Sequence, residues 1–458
     1  MIDGNFRKYL EEAIGHENAL VAFSAFEQPA SVSVRMNPFK PSAGMEGRIV
    51  PWNEYGRLLE QRPVFTLDPL FHAGAYYVQD SSSMFVGHAF RNLLKSVVRP
   101  RGRHIRVLDL CAAPGGKTTD LAASLREIYG DDFLLVSNEV MKARVGILAD
   151  NVALWGDPNV VVTSDDPRAF AALDGFFDVI VADVPCSGEG MFRKDEEAQK
   201  QWSEDNVALC EARQRRIIAD VWPALAQDGL FVYSTCTFNT RENDGNVSWI
   251  AEELDAEALM SDDVLPGMKG VLKTGLGYSL VPGLVEGEGQ YCSALVKRST
   301  SSANRSFSPS RKRQAADRNS EIPKDLARLF DRDVCLSSRG GTVIALPAYL
   351  KEDVALLDAF LHVVASGCAV GVVKGRDLVP DADLALSLML AEGVFQAADV
   401  DRDTALAFLH RDAITLPEAE KGYVLIRYEG VNLGFVKNIG NRCNNLHPQS
   451  RRIRMNIK

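Results

Sequence analysis

Between residues 104 and 238 the chain alternates short apolar runs with longer amphipathic stretches. The runs are HIRVLDLCA (104–112), FLLVSNEV (133–140), NVVVTSDD (159–166), FFDVIVADVP (176–185) and GLFVYSTCTF (229–238). Val, Ile and Phe fill them with little polar alternation, as strands covered on both faces require. KTTDLAASLREIYG, MKARVGILADNVALWG and a polar-rich region from about 195 to 226 separate them and read as helices. Repeated strand–helix units predict an α/β fold, a parallel sheet with helices on both faces. SLVPG and YCSALVKR, within 279–298, predict an antiparallel edge pair.

The flanks follow other rhythms. NFRKYLEEAI and ENALVAFSAF predict two short helices over 5–26, and SVSVRM (31–36) alternates like a strand. YYVQDSSSMFVGHAF (76–90) reads as a loop capped by Asp80 or Ser81, leading into a helix that ends near Leu94. STSSANRSFSPSRKRQAADRNS (299–320) is rich in Ser and Arg with almost no apolar content, and reads as an exposed linker. Beyond it, TVIALP, AVGVVKG, GYVLIRYEG and LGFVKN predict short strands in a separate small domain of α+β or partly open barrel type. The expected units are 1–95, 96–298, the linker 299–320, and 321–458.

At 458 residues the chain is too long for one ordinary domain. No apolar run approaches membrane-spanning length, and the first residues hold no apolar signal core. A cytoplasmic protein without a membrane partner is expected, and nothing suggests more than a monomer. The eight cysteines are scattered, with no C-x-x-C pair and no zinc-like spacing, so no metal is expected. The thiols are then either buried filler or chemistry.

The formal net charge of −10 argues against a nucleic-acid partner. Its distribution argues the other way. Arg91 to Arg106 holds six Lys and Arg residues and no acid, and Val431 to Lys458 repeats that pattern with Asn and His interleaved. Such stretches neutralise phosphates locally while acids elsewhere set the total. The plain alternative is a pair of solvated faces.

VLDLCAAPGGKTT (107–119) has the look of a nucleotide-type cofactor loop. A strand ends at Asp109, and Cys111, Ala112, Ala113, Pro114, Gly115 and Gly116 form a small-residue loop opening a helix. That build lets backbone approach a cofactor at the C-terminal edge of a sheet. GGKT also resembles a phosphate-binding loop, but that motif needs Gly where Cys111 stands. Glu139 ends the next strand, where an acid takes the ribose hydroxyls of a nucleoside cofactor, or merely caps a helix. Arg144 follows in the next helix and joins the cofactor set with Lys117. Asp165 and Asp166 end the third strand, and Asp166 is preferred as the residue reaching an adenine.

Asp183-Val184-Pro185-Cys186 ends the fourth strand, where Pro185 stiffens the turn and holds carboxylate and thiol in one loop. Cys236 ends the fifth, between Thr235 and Thr237. In a doubly wound sheet these strands are neighbours, so both thiols should meet beside the cofactor loop. Lone cysteines after strands are usually small buried hydrophobes. A redox pair is a further alternative, but no flavin or nicotinamide fingerprint accompanies it.

At these residues the chain resembles the RNA 5-methylcytosine methyltransferases of the NOL1/NOP2/Sun family. The match runs over most of 30–298 and includes Arg35-Met36-Asn37-Pro38, the segment Tyr77 to Met84, the glycine loop, Asp183 to Gly188, and Ser234 to Thr237 with Glu242-Asn243 following. GEGMFRKD (188–195) and GFVKNIGNRCNNLHPQSRRIR resemble the bacterial RsmF/YebU-like branch, in which a PUA-like domain follows the catalytic one. Asp80 stands where many members have Glu. The resemblance implies a Rossmann-like domain binding S-adenosylmethionine through the cofactor set above and Asp183, flanked by an N-terminal RNA-binding subdomain and a C-terminal PUA-like domain. It implies methylation of cytosine C5 in small-subunit (16S) ribosomal RNA or the ribosomal subunit. By family analogy Cys236 is the nucleophile at C6, Asp183 holds the base edge, and Cys186 assists release. Lys117 would favour a thiolate or meet an RNA phosphate. A tRNA target, a catalytically silent RNA-binding assembly factor, and a P-loop ATPase remain as alternatives.

Overall fold

The structure is a computed structural model that describes residues 4–40, 42, 44–94, 103–259, 268–299, 322–375 and 377–457. At its centre lie β1 (Ile105–Asp109), β2 (Phe133–Asn138), β3 (Val160–Thr163), β4 (Phe177–Asp183), β5 (Leu225–Thr235) and β6 (Gln290–Lys297). They run in the order β6-β5-β4-β1-β2-β3. The first five are mutually parallel, and β6 is antiparallel to β5. Every residue of β2, β3 and β6 is buried, the reason their sequences lack polar alternation. The expected edge pair is present, Tyr278–Leu280 against β6. Strand order reverses beside β1, and the crevice this leaves at the C-terminal strand ends is where such sheets take ligands.

Helices Phe85–Leu93, Gly116–Tyr129 and Lys142–Trp155 cover one face. Helices Glu204–Val221 and Asp244–Glu253 cover the other. The polar-rich region expected as one helix breaks into two, Glu196–Gln201 and Glu204–Val221. Ser203 begins the second by accepting from the Asn206 backbone N–H, and Trp202 turns inward to a buried site.

The two expected N-terminal helices form over Gly4–Ile14 and His16–Phe26. Their Phe6 and Phe26 pack against Phe192, which follows β4, and Phe26 also meets Phe238, which follows β5. Val32–Met36 is the expected strand. Tyr76–Val78, expected as loop, instead pairs antiparallel with it. The correction has a tertiary cause, because three residues become a strand only where a partner supplies the ladder.

The C-terminal part carries two further four-stranded sheets, built around Thr342–Pro347 and Gly422–Tyr428. Some of its described residues pack on the central sheet. Val363–Ser366 pairs antiparallel with β3 and closes the edge of the central sheet, and helix Lys351–Phe360 joins the core beneath it. A buried edge strand such as β3 needs a cover for its open ladder, and this segment supplies it. Lys40 ties the N-terminal part to helix Lys142–Trp155: its Nζ donates to the carbonyls of Ala73 (2.9 Å) and Leu154 (2.6 Å), and burial pushes its ammonium down to about 7. At Gly156 a Cβ would stand 2.1 Å from the Leu386 carbonyl oxygen, so the C-terminal part can approach there only against glycine. Residues 300–320 of the expected linker lie outside the described residues. Among the described residues no helix is long and apolar enough to cross a membrane.

Candidate active site

The glycine loop leaves β1 at Asp109 and reaches its helix through Gly115, whose φ of 114° is left-handed and disfavours a side chain. The Ala112 backbone N–H donates to the Asn138 carbonyl (2.9 Å), which straps the loop to the end of β2. Thr118 donates to Asp109 Oδ2 (2.7 Å), while Asp109 Oδ1 is buried with no protein partner. Burial pushes Asp109 up to about 7. Glu139 lies beside the loop, its carboxylate accepting from the Met141 N–H (2.8 Å) and standing 3.5 Å from Arg144. Arg144 in turn donates to the Ala113 carbonyl, so one cation links the acid to the loop. Asp166 is exposed and caps the turn Pro167–Ala172 through the Arg168 N–H. Its neighbour Asp165 accepts from the His362 N–H (2.6 Å), a contact with the C-terminal part.

The two thiols meet. Cys186 Sγ and Cys236 Sγ are 3.1 Å apart at the adjacent ends of β4 and β5. The register explains this, because Asp183 lies opposite Ser234 in the parallel ladder and both chains turn off together. The hydrogen bond with Cys236, then burial, raises the Cys186 thiol well above its ordinary value. Asp183 accepts from Ser234 Oγ (2.7 Å) and Gln290 Nε2 (3.1 Å), and pairs with Lys117 Nζ (2.9 Å). Burial acts to lower Lys117, but its contact with Asp183 and the nearby Cys236 outweigh that and hold the ammonium above its usual value.

Some of this was not readable from the chain. Lys117 is engaged by Asp183 and Ser83, partners that lie on other segments and gave no sequence signal. Gln290 went unnoticed because it stands just before YCSALVKR, the run read as an edge; it opens β6 and is buried. Of the basic stretch 91–106, three cations are described, and each is paired. Arg91 pairs with Asp120, Arg103 with Asp178, and Arg106 with Asp353, while 95–102 lie outside the described residues. In the C-terminal stretch Arg451 is paired with Asp383 and Asp150, whereas Arg442 and Arg454 are exposed; Lys458 lies outside the described residues.

Solved structures give the class. A methyltransferase homologue from Pyrococcus horikoshii is 25% identical, with a TM-score of 0.53 over 64% of this chain and 95% of its own. NSun6 from the same organism, crystallised with SFG, shares the fold at 16% identity and a TM-score of 0.52, over 65% of this chain and 98% of its own. The chain is a Rossmann-like, S-adenosylmethionine-dependent methyltransferase. The residues present fit that cofactor: a glycine-cradled loop, an acid closing the next strand, and a buried acceptor on Asp109 left open at the loop's base.

Sequence comparison narrows the class. The model described as 16S rRNA methyltransferase RsmB/F matches 96–296, the RsmF N-terminal domain matches 2–81, and the RsmF PUA domain matches 395–453. The protein named ribosomal RNA small subunit methyltransferase F from Serratia proteamaculans is 32% identical over 82% of this chain and 78% of its own length. Its namesake from Escherichia coli O157:H7 is 30% identical over 93% and 91%. The chain belongs to the RsmB/F family of 16S rRNA methyltransferases.

Proposed function

We propose that this protein methylates cytosine C5 in small-subunit ribosomal RNA through a transient covalent bond between Cys236 and C6 of the base. The observation that carries the reading is the 3.1 Å contact of two thiols beside a carboxylate–lysine pair at the cofactor edge. The relatives' names support the RNA target.

Bound S-adenosylmethionine supplies an electrophilic methyl group, held by the 111–117 loop with Glu139, Arg144 and Asp166. Cytosine C5 is too poor a nucleophile to take it unaided. Addition of the Cys236 thiolate at C6 moves the C5–C6 π electrons toward C5 and makes it enamine-like. Asp183 holds the N3/N4 edge as charge develops there, and Lys117, Ser234 and Gln290 fix the carboxylate's position. After transfer, C5 carries both methyl and hydrogen. Cys186 takes that proton, the electrons of the C5–H bond re-form the double bond, and the C6–S bond breaks to return the Cys236 thiolate. Only the Cys186 thiolate can accept that proton, so its own proton must first pass to solvent or a neighbouring base. The base must leave its stack to reach the pocket. The 1–95 and 321–458 units would hold the RNA backbone meanwhile.

The test runs wild type, Cys186→Ala and Cys236→Ala with small ribosomal subunits and methyl-labelled S-adenosylmethionine. Wild type should yield 5-methylcytosine, Cys236→Ala nothing, and Cys186→Ala a gel-stable protein–RNA adduct. Free turnover by either variant overturns the role assignment. Label on tRNA but not on the subunit moves the target.

A further inference from the structure

Behind the thiols lie two carboxylates that the chemistry above leaves unused. Glu189 follows Cys186 on its loop, and Glu242 follows Cys236; they are 1% and 0% exposed. Each reaches across to the other loop. Glu189 Oε2 accepts from the backbone N–H of Phe238 (2.7 Å) and of Asn239 (3.1 Å), on the Cys236 side. Glu242 Oε2 accepts from the backbone N–H of Ser187 (3.0 Å), the residue after Cys186, and from Gln214 Nε2 (2.7 Å). The Asn239 amide joins them, donating to Glu189 Oε1 (2.9 Å) and Glu242 Oε1 (2.8 Å). Trp202 Nε1 fills the remaining place on Glu189 (2.9 Å). Two neutral ties complete the join, Ser187 Oγ to Thr237 Oγ1 (2.9 Å) and the Gly190 N–H to the Cys236 carbonyl (2.8 Å).

Two buried like charges sharing one amide are a costly way to build a staple. Burial, with Glu189 adding to it, raises Glu242 above its ordinary value. Neutral side chains of similar volume would hold loops together without that cost. What the carboxylates add is charge-assisted bonds to backbone N–H groups one residue past Cys186 and two and three residues past Cys236.

We propose that Glu189 and Glu242 are positioning residues for methyl transfer: each is anchored on one thiol's loop and grips the other, and together they set the Cys186–Cys236 separation that the release step needs. This rests on the two-thiol reading above. A reciprocal grip also couples the loops, so that loosening either carboxylate moves both sulfurs. Misplacement of reacting groups by about 1 Å is enough to cost roughly a hundredfold in rate.

The test uses the full chain as wild type, Glu189→Gln and Glu242→Gln, each checked for folding by thermal melting. Diamide, which takes two electrons and two protons from a thiol pair, traps Cys186–Cys236 as a disulfide and so reads their proximity without RNA. Both variants should trap about tenfold more slowly or worse, and lose about 10- to 100-fold in kcat with KM nearly unchanged. A charge readout accompanies this. In a Cys236→Ser background, peptide-resolved alkylation of Cys186 should shift to lower pH with Glu242→Gln, because a negative charge beside the thiol is gone. With Cys236 replaced, Glu242 and Tyr233 still face Cys186. Should Glu242→Gln fail to fold, Glu189→Gln, which leaves the Glu242 bonds in place, still decides the trapping and kcat arms. Trapping and kcat at wild-type levels in the folded variants overturn the positioning role while leaving the two-thiol chemistry intact. A wild type that traps readily yet forms no 5-methylcytosine overturns the chemistry, and the positioning role with it.

Discussion

The two ends of the same central strands hold charged clusters of opposite character. At the N-terminal rim, Arg103 makes two hydrogen bonds to Asp178 (2.7 and 2.6 Å), and Arg106 (2.6 Å) and His104 both meet Asp353. Each of these described cations has a carboxylate; burial acts to raise Asp353, but His104 and Arg106 hold it below its ordinary value. At the C-terminal rim, Asp109 keeps an open buried oxygen, two thiols lean on each other, and Asp183 is held at the crevice by Lys117. Charge density alone would mark both rims. The N-terminal rim is closed upon itself and serves stability; the C-terminal rim has capacity left for a ligand.

Substitutions at the two rims should therefore separate activity from stability. The largest effect is expected from Asp183→Asn, which removes the charge facing the base and leaves Lys117 without its anion. Turnover should fall roughly 10²- to 10³-fold in the labelled-methyl assay with the fold intact. Comparable loss through unfolding, seen as a collapsed melting transition, would erase the distinction between rims. At the other end Asp353→Ala should do the reverse. It strands Arg106 and His104 in a half-buried site and should cost about 3 kcal/mol in denaturant unfolding, with kcat of the folded fraction unchanged. A selective drop in kcat would show that the N-terminal rim reaches the chemistry.

The smallest effect, taken over one pH unit, concerns Lys40, away from both rims. Its folded ammonium titrates near 7 because of burial, with Asp383 opposing and Arg451 assisting, whereas an unfolded lysine titrates near 10.4. Between those values the unfolded chain binds the extra proton, so stability rises with pH across this window and the penalty is complete below it. Lys40→Met should flatten that rise, by at most ~1.4 kcal/mol per pH unit. Parallel melting curves for wild type and variant from pH 7 to about 10 would rule it out.

The strands of the central sheet, the loop 111–116 and the pairing of Cys186 with Cys236 were all legible along the chain. Each rests on local information: apolar periodicity, small residues where backbone must approach, and thiols at the ends of strands whose order a doubly wound sheet dictates. The partners of the described cations in 91–106, Asp120, Asp178 and Asp353, could not be read from that stretch because they lie far along the sequence. Gln290 escaped for the same reason, since its partner Asp183 belongs to another strand. The join of Val363–Ser366 to β3 had no local signal either, because a strand edge shows its need for a partner only once the sheet exists. Periodicity and motif identity are written residue by residue. Which charge is spent on a neighbour, and which is left for a ligand, is settled only when distant segments are packed together and water is excluded between them.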